Sequence, residues 1–297
     1  MPELPDVTVY VEALKPRLLS QTLQKVVLAS PFLLRSVQPP LTEVEGKKVL
    51  SLRRIGKQIV WEFKGELFLV FHLMIAGRFH WKKPGTKPPG KIGLASFHFS
   101  YGSLVLTEAS TKKRASLYVT KGESSLSGFH RGGVEVLECS LEQFRSALAK
   151  ENHTLKRVLT DQRLFSGIGN AYSDEILHRA KVSPMQLSDR LSEEEIFRLF
   201  TATAETMKEW IQRLQRQTGP GFPEKVTAFH EEMAVHGKFR KPCPVCKTRV
   251  QRIVYAENEC NYCPRCQTGG KILADRSLSR LLKSDWPKTI EELEAKT

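Results

Sequence analysis

Four cysteines come as two pairs, Cys243-Pro-Val-Cys246 and Cys263-Pro-Arg-Cys266, with sixteen residues between them. A CxxC pair lets one tight turn deliver two thiolates, and two such turns supply the four ligands of a tetrahedral zinc. In a chain without a secretory signal the spacing points to metal rather than to disulfides. Cys243, Cys246, Cys263 and Cys266 are therefore the expected ligands of one structural Zn2+, with Cys139 and Cys260 left as spare thiols. A second reactive feature opens the chain, "MPELPDVTVY". If Met1 is removed, Pro2 carries a free secondary amine. An α-amino group titrates at about 7.7–8.0, so a useful fraction is neutral and able to attack carbon. A third feature is "SGIGN", a turn between two helical stretches. Gly167 and Gly169 permit close approach, Asn170 is positioned to cap the following helix, and the free N–H groups there make an anion site for a phosphate. An ordinary corner between two helices accounts for the same letters.

The elements that must position these residues follow from periodicity. Val7, Val11, Leu14 and Leu18 share a helical face capped by Asp6, and Pro16 should kink or end that helix. From about Leu23 to Thr120 the pattern becomes short β-type runs, among them "KQIVWEF", "ELFLVFHLM" and "ASFHFS", with Tyr101–Gly102 turning into "SLVLTE". Such runs imply a β-sandwich or barrel. "KGESSLSGFHRGG" reads as a linker. Helices are then expected over 154–165 and 171–180, and Ser192 with Glu195 forms a capping box ahead of a long apolar stripe that "TGPG" stops. Between the cysteine pairs "KTRVQRIVYAENECNY" makes two strands joined by a turn, a zinc ribbon. The resulting segments are 1–120, a linker over 121–148, a helical domain over 149–227, the ribbon over 228–270, and a tail over 271–297. In the tail Leu278, Leu281 and Leu282 are expected to pack a short helix onto the ribbon.

Charge narrows the partner. Lys plus Arg outnumber Asp plus Glu by 46 to 32, a net charge of +14. That excess favours a polyanion, because each neutralised phosphate releases condensed counterions. Lys238, Arg240, Lys241, Lys247, Arg249 and Arg252 cluster on the ribbon without an acidic residue among them, so it reads as a nucleic-acid-facing hairpin, with a protein-binding ribbon as the other reading. The longest apolar run, from Leu67, is broken by His72 and is too short to span a bilayer. No basic region followed by an apolar stretch opens the chain. The expectation is an intracellular protein of a bacterial cytoplasm, a monomer without membrane attachment.

Together the motifs resemble the formamidopyrimidine-DNA glycosylase / endonuclease VIII family of base-excision repair enzymes, from Met1 to about Gln267. "PELPDV" resembles its N-terminal signature, and "RRIGKQIVWEF" places Lys57 at its β-strand lysine. "TLKRVLTDQRLFSGIGNAYSDEIL" resembles its helix-two-turn-helix, and "VHGKFRKPCPVC…CNYCPRC" its zinc finger. The resemblance implies an α+β multidomain fold: an N-terminal β-sandwich with flanking helices, then a helical helix-two-turn-helix domain plus zinc ribbon. It implies damaged double-stranded DNA as partner and a bifunctional glycosylase and abasic-site lyase. Pro2 would displace the damaged base at C1′ as an iminium, Glu3 would move protons, and Lys57 would stabilise charge, leading to β,δ-elimination. Lys156 and Asn170 would contact DNA, and the target nucleotide would be flipped out.

The departures lie in damage recognition. The wedge that fills the vacated stack falls on Ile75, beside Met74, in "HLMIAG". In place of the family's second, Phe-bearing loop stands "EASTKKRASL", with Lys112, Lys113 and Arg114. Asn258 occupies the hairpin position of an arginine, and "GPGFPEKVTAF" is shorter than the lesion-capping loop of the purine branch. Two alternatives stay open: an abasic-site lyase or unusual-lesion glycosylase with little 8-oxoguanine activity, and a non-catalytic DNA damage-binding protein.

Overall fold

The computed structural model describes residues 1–224, 226, 229–255 and 258–295, with the side chains of 255, 258 and 276–278 outside the description. Two compact units form, one from residues 1–131 and 210–227, the other from 132–209 and 228–297. In this division residues 210–224 group with the first unit.

The first unit opens with α1 (Leu4–Leu18). Glu3, not Asp6, is its N-cap. Asp6 sits at the third helical position, where its Oδ2 accepts the Glu3 N–H at 2.8 Å. The helix runs through Pro16 to Leu18, because the missing N–H falls in the last turn, where little ladder remains to be broken. Two antiparallel sheets follow. One has the order β1 (Lys25–Leu28), β6 (Gly93–Phe99), β7 (Gly102–Glu108), β5 (Gly77–Lys82). The other has β2 (Val49–Ile55), β3 (Gln58–Phe63), β4 (Leu67–His72), β8 (Ser116–Lys121). Alternation along each strand decides what lies between them. Ile59, Trp61 and Phe63 of β3 and Leu67, Leu69 and Phe71 of β4 all enter one core with Phe97, Phe99 and the α1 residues Val7, Tyr10 and Leu14. Trp61 is fully buried, its ring 4.8 Å from Phe71 and 5.4 Å from Phe97. Burying each such side chain contributes about 1.5–3 kcal/mol. The β-sandwich expectation holds.

In the second unit the expected linker carries structure of its own. Strand β9 (Val134–Glu135) pairs in parallel with β10 (Phe165–Ser166), and α2 (Leu141–Ala149) starts at Ser140, whose Oγ accepts the Gln143 N–H. The helix expected over 154–165 is shorter: α3 spans Leu155–Thr160 and gives way to β10. Helix α4 (Asn170–Ala180) begins one residue earlier than expected. Helix α5 (Glu193–Thr218), whose residues from 210 onward belong to the first unit, has the foreseen capping box, with Ser192 and Glu195 exchanging hydrogen bonds of 2.9 and 3.2 Å. The ribbon strands are β11 (Gln251–Tyr255) and β12 (Asn258–Tyr262), antiparallel as expected, followed by α6 (Pro264–Thr268), α7 (Arg276–Leu282) and α8 (Ile290–Ala295). Helix α7 lies against β11 of the ribbon as expected, with Leu281 76 % and Leu282 41 % exposed, and Ile290 of α8 is buried. The side chain of Leu278 lies outside the described residues.

Candidate functional site

In the first unit the capping geometry of α1 buries Pro2 and Glu3 at its N-terminus. Met1 precedes them, and its α-amine lies one residue ahead of the Pro2 nitrogen. Burial holds that amine below its usual range, opposed by the charges of Glu3 and Asp6 and reinforced by those of Arg78 and Lys57. Four ionisable side chains thus act on the start of the chain. Asp6 is fully buried, and burial raises its carboxyl to about 7 against the pull of the Glu3 N–H.

Lys57 lies not within a strand but in the turn between β2 and β3, next to Gly56 at φ +57°. It is 8 % exposed. Register puts Gln58 opposite His72, and His72 opposite Ser116, so this turn sits beside the end of β4. His72 accepts the Met74 N–H on Nδ1 at 3.2 Å. Burial first, then the charges of Lys57 and Arg131, push it down to about 4, which keeps the ring neutral. Sequence reasoning used His72 only as a break in an apolar run and passed over Arg78. A polar ring at the strand end leading into the wedge turn was the signal for the first. Arg78 had none, because its proximity to the terminus is purely tertiary.

The wedge turn is tightly built. Gly77 donates its N–H to Leu73 at 2.9 Å, and a Cβ on Gly77 would lie 2.2 Å from the Leu73 oxygen. Met74 takes φ +51°, a conformation that costs a non-glycine residue free energy and recurs at functional sites. The turn leaves Met74 half-buried and Ile75 54 % exposed. After β7, the Glu108 carboxylate gathers the N–H groups of Arg114 and Ala115, and the Lys113 ammonium donates to the Glu108 carbonyl. Lys112 and Arg114 are exposed. Residues 219–224 of the short stretch that follows α5 are fastened down: Arg17 donates to the Pro220 and Gly221 carbonyls, Phe222 packs 5.9 Å from Tyr10, and Glu224 meets His80 at 2.6 Å.

In the second unit Asn170 does not cap α4. Gly169 is the N-cap, and the Asn170 amide donates to the Glu259 carbonyl of β12 at 3.0 Å. Lys156, expected to face DNA, is 3 % exposed. Its ammonium is held by Asp174 Oδ1 at 2.5 Å, Ser173 Oγ at 2.7 Å and the Asn170 carbonyl at 2.6 Å. So enclosed, the ammonium is committed to Asp174, Ser173 and the Asn170 carbonyl of α4. Burial alone would raise Asp174, but Lys156 and His236 hold it below the usual carboxylate range. The side chain of Asn258 lies outside the described residues.

The four sulfurs of Cys243, Cys246, Cys263 and Cys266 lie within 4.8 Å of one another, with Cys243 and Cys266 at 3.9 Å and Cys246 and Cys263 at 3.3 Å. A tetrahedral zinc with Zn–S bonds of about 2.3 Å separates its sulfurs by about 3.8 Å. Donor set and spacing are compatible with a structural zinc site. Among the described residues no other group of three or more ligating side chains converges, and no helix is long and apolar enough to cross a membrane.

The profile for the formamidopyrimidine-DNA glycosylase N-terminal domain matches residues 1–115, and that for the formamidopyrimidine-DNA glycosylase H2TH domain matches residues 135–219. A formamidopyrimidine-DNA glycosylase of Thermus thermophilus is 32 % identical, covering 91 % of this chain and all of its own. A formamidopyrimidine-DNA glycosylase-like protein of Mycobacterium tuberculosis is 40 % identical over 51 % of this chain and 94 % of its own. The Lactococcus lactis Fpg, solved in complex with DNA containing an abasic site, superimposes with a TM-score of 0.79 at 25 % identity, covering 90 % of this chain and 99 % of its own. The chain belongs to the formamidopyrimidine-DNA glycosylase family.

Proposed function

We propose that this protein is a DNA-repair glycosylase and abasic-site lyase that works as a monomer on damaged duplex DNA inside a bacterial cell, with Pro2 as nucleophile. The observation that carries the reading is the start of the chain, buried among Glu3, Asp6, Lys57 and Arg78 and held below its ordinary pKa. Burial and cationic neighbours favour the neutral form of an amine, and the neutral form is the nucleophile. In the reaction, the Pro2 nitrogen lone pair attacks C1′. The bond from C1′ to the base breaks, and the base leaves with that electron pair and takes up the proton that the Pro2 nitrogen gives up. Glu3 protonates the ring oxygen, the sugar opens, and an iminium joins Pro2 to C1′. Loss of the C2′ proton then expels the 3′ phosphate, and a second elimination expels the 5′ phosphate. Lys57 supplies fixed positive charge beside the reacting sugar. Ile75 enters the space left by the everted nucleotide, with Met74, Lys112 and Arg114 contacting DNA from the same unit, and Asn170 is a DNA contact of the second unit. Cys243, Cys246, Cys263 and Cys266 hold one structural zinc, which shapes the ribbon and performs no chemistry. Borohydride trapping on abasic-site DNA tests the nucleophile: the processed protein cross-links, and a version extended ahead of Pro2 does not. Equal trapping by both would refute it.

A second reading, an enzyme with little activity on 8-oxoguanine, is favoured by the loop after β7, which carries no aromatic residue and is pinned to Glu108. A panel of duplexes with defined lesions separates the two readings, since rapid release of 8-oxoguanine excludes the second.

A further inference from the structure

One face of α4 is committed to the ribbon. Asn170, Asp174 and His178 stand four residues apart and therefore line up on the helix. Each reaches a different part of the cysteine module. Asn170 donates to the Glu259 carbonyl, and Asp174 Oδ2 receives His236 Nδ1 at 2.8 Å and the Asn261 N–H at 3.1 Å. His178 Nε2 lies 3.2 Å from Cys243 Sγ. Beside the stripe, the Glu175 carboxylate collects the N–H groups of Ala234, Val235 and His236 at 2.7–2.9 Å. The last contact of the stripe differs in kind, because its acceptor is one of the four sulfurs.

We propose that His178 is a positioning residue for the metal: its Nε2–H donates to the Cys243 thiolate and ties the ion to the helix that presents Asn170. The proposal rests on the zinc reading given above. Four thiolates around a divalent ion carry a net negative charge. A hydrogen bond to one sulfur stabilises that charge and fixes the orientation of the ligand. Cys243 is fully buried and His178 is 6 % exposed, so water cannot replace the imidazole as donor. Groups that hydrogen-bond a metal's ligands change metal affinity roughly 10–100-fold when removed. The sequence motif CxxC…CxxC contains no hint of this partner, which comes from 65 residues upstream.

Two measurements on the full-length, metal-loaded protein test the proposal. First, zinc transfer to a chromophoric chelator is timed for wild type, His178→Phe and His178→Gln, alongside the thiolate-to-metal absorption of the cobalt-loaded forms. Phe fills the volume without an N–H, whereas Gln retains one. Release is expected to quicken roughly 10–100-fold in His178→Phe with a shifted absorption band, and to return toward wild type in His178→Gln. A His178→Phe protein that keeps the wild-type release rate and spectrum overturns the proposal. Second, wild type loaded with NMR-active cadmium and nitrogen-labelled histidine should show scalar coupling from the His178 Nε2–H to the metal across the sulfur. This measurement does not depend on the variant folding. A resolved His178 N–H without that coupling also overturns the proposal. Wild type that takes up none of these metals overturns the zinc reading itself, and the proposal with it.

Discussion

Lys156→Met is the most informative single substitution, because two accounts of this residue predict opposite results. In the structure the Lys156 ammonium is buried and spends its donors on Asp174 Oδ1, Ser173 Oγ and the Asn170 carbonyl. Methionine keeps the length of the side chain and removes the charge. Asp174, itself fully buried, is then left with His236 and Asn261 as partners. Removing one member of a buried ion pair typically costs about 3–5 kcal/mol, most of it the penalty of the stranded charge. The same loss frees the carbonyl of Asn170 and loosens the start of α4. Urea unfolding, with hydrogen exchange to localise the effect, should show destabilisation confined to the second unit, and Lys156→Met combined with Asp174→Asn should recover at least half of it. A phosphate-contacting lysine would behave differently: stability unchanged, and the salt dependence of DNA binding reduced by about one counterion. Normal stability with a shallower salt slope would refute the structural account.

Three further outcomes follow from the site. Burial raises Asp6 to about 7, so the folded chain holds a proton that the unfolded chain has released near pH 4. Stability therefore falls as pH climbs through that window, by at most about 4 kcal/mol, and Asp6→Asn should flatten the fall in urea titrations at about pH 5 and about pH 8; an unchanged slope counts against it. Gly77→Ala places a methyl 2.2 Å from the Leu73 oxygen; it should cost about 1–3 kcal/mol and depress lesion release more than trapping on abasic DNA, and equal losses in both assays would separate Ile75 from the wedge role. Asn170→Ala removes the bond to Glu259 and should cost about 1 kcal/mol of second-unit stability, read by hydrogen exchange in β12.

Local chemistry made much of this protein legible from its sequence. The cysteine pairs, the Ser192–Glu195 box, the alternating strands around Trp61 and the glycine turn before Asn170 each express a rule that acts over a few residues. Tertiary structure decided what those rules cannot reach. Lys156 is a cation on paper and a buried strut in the fold, because Asp174 arrives from a different helix. Asn170 looks like a cap and instead binds a strand 89 residues away. Arg78 and Lys57 act on the first amine of the chain only because two sheet turns bring them there. Short-range propensity depends on a residue and its neighbours, whereas burial and charge pairing depend on whichever segments share a space, and only the folded chain specifies that.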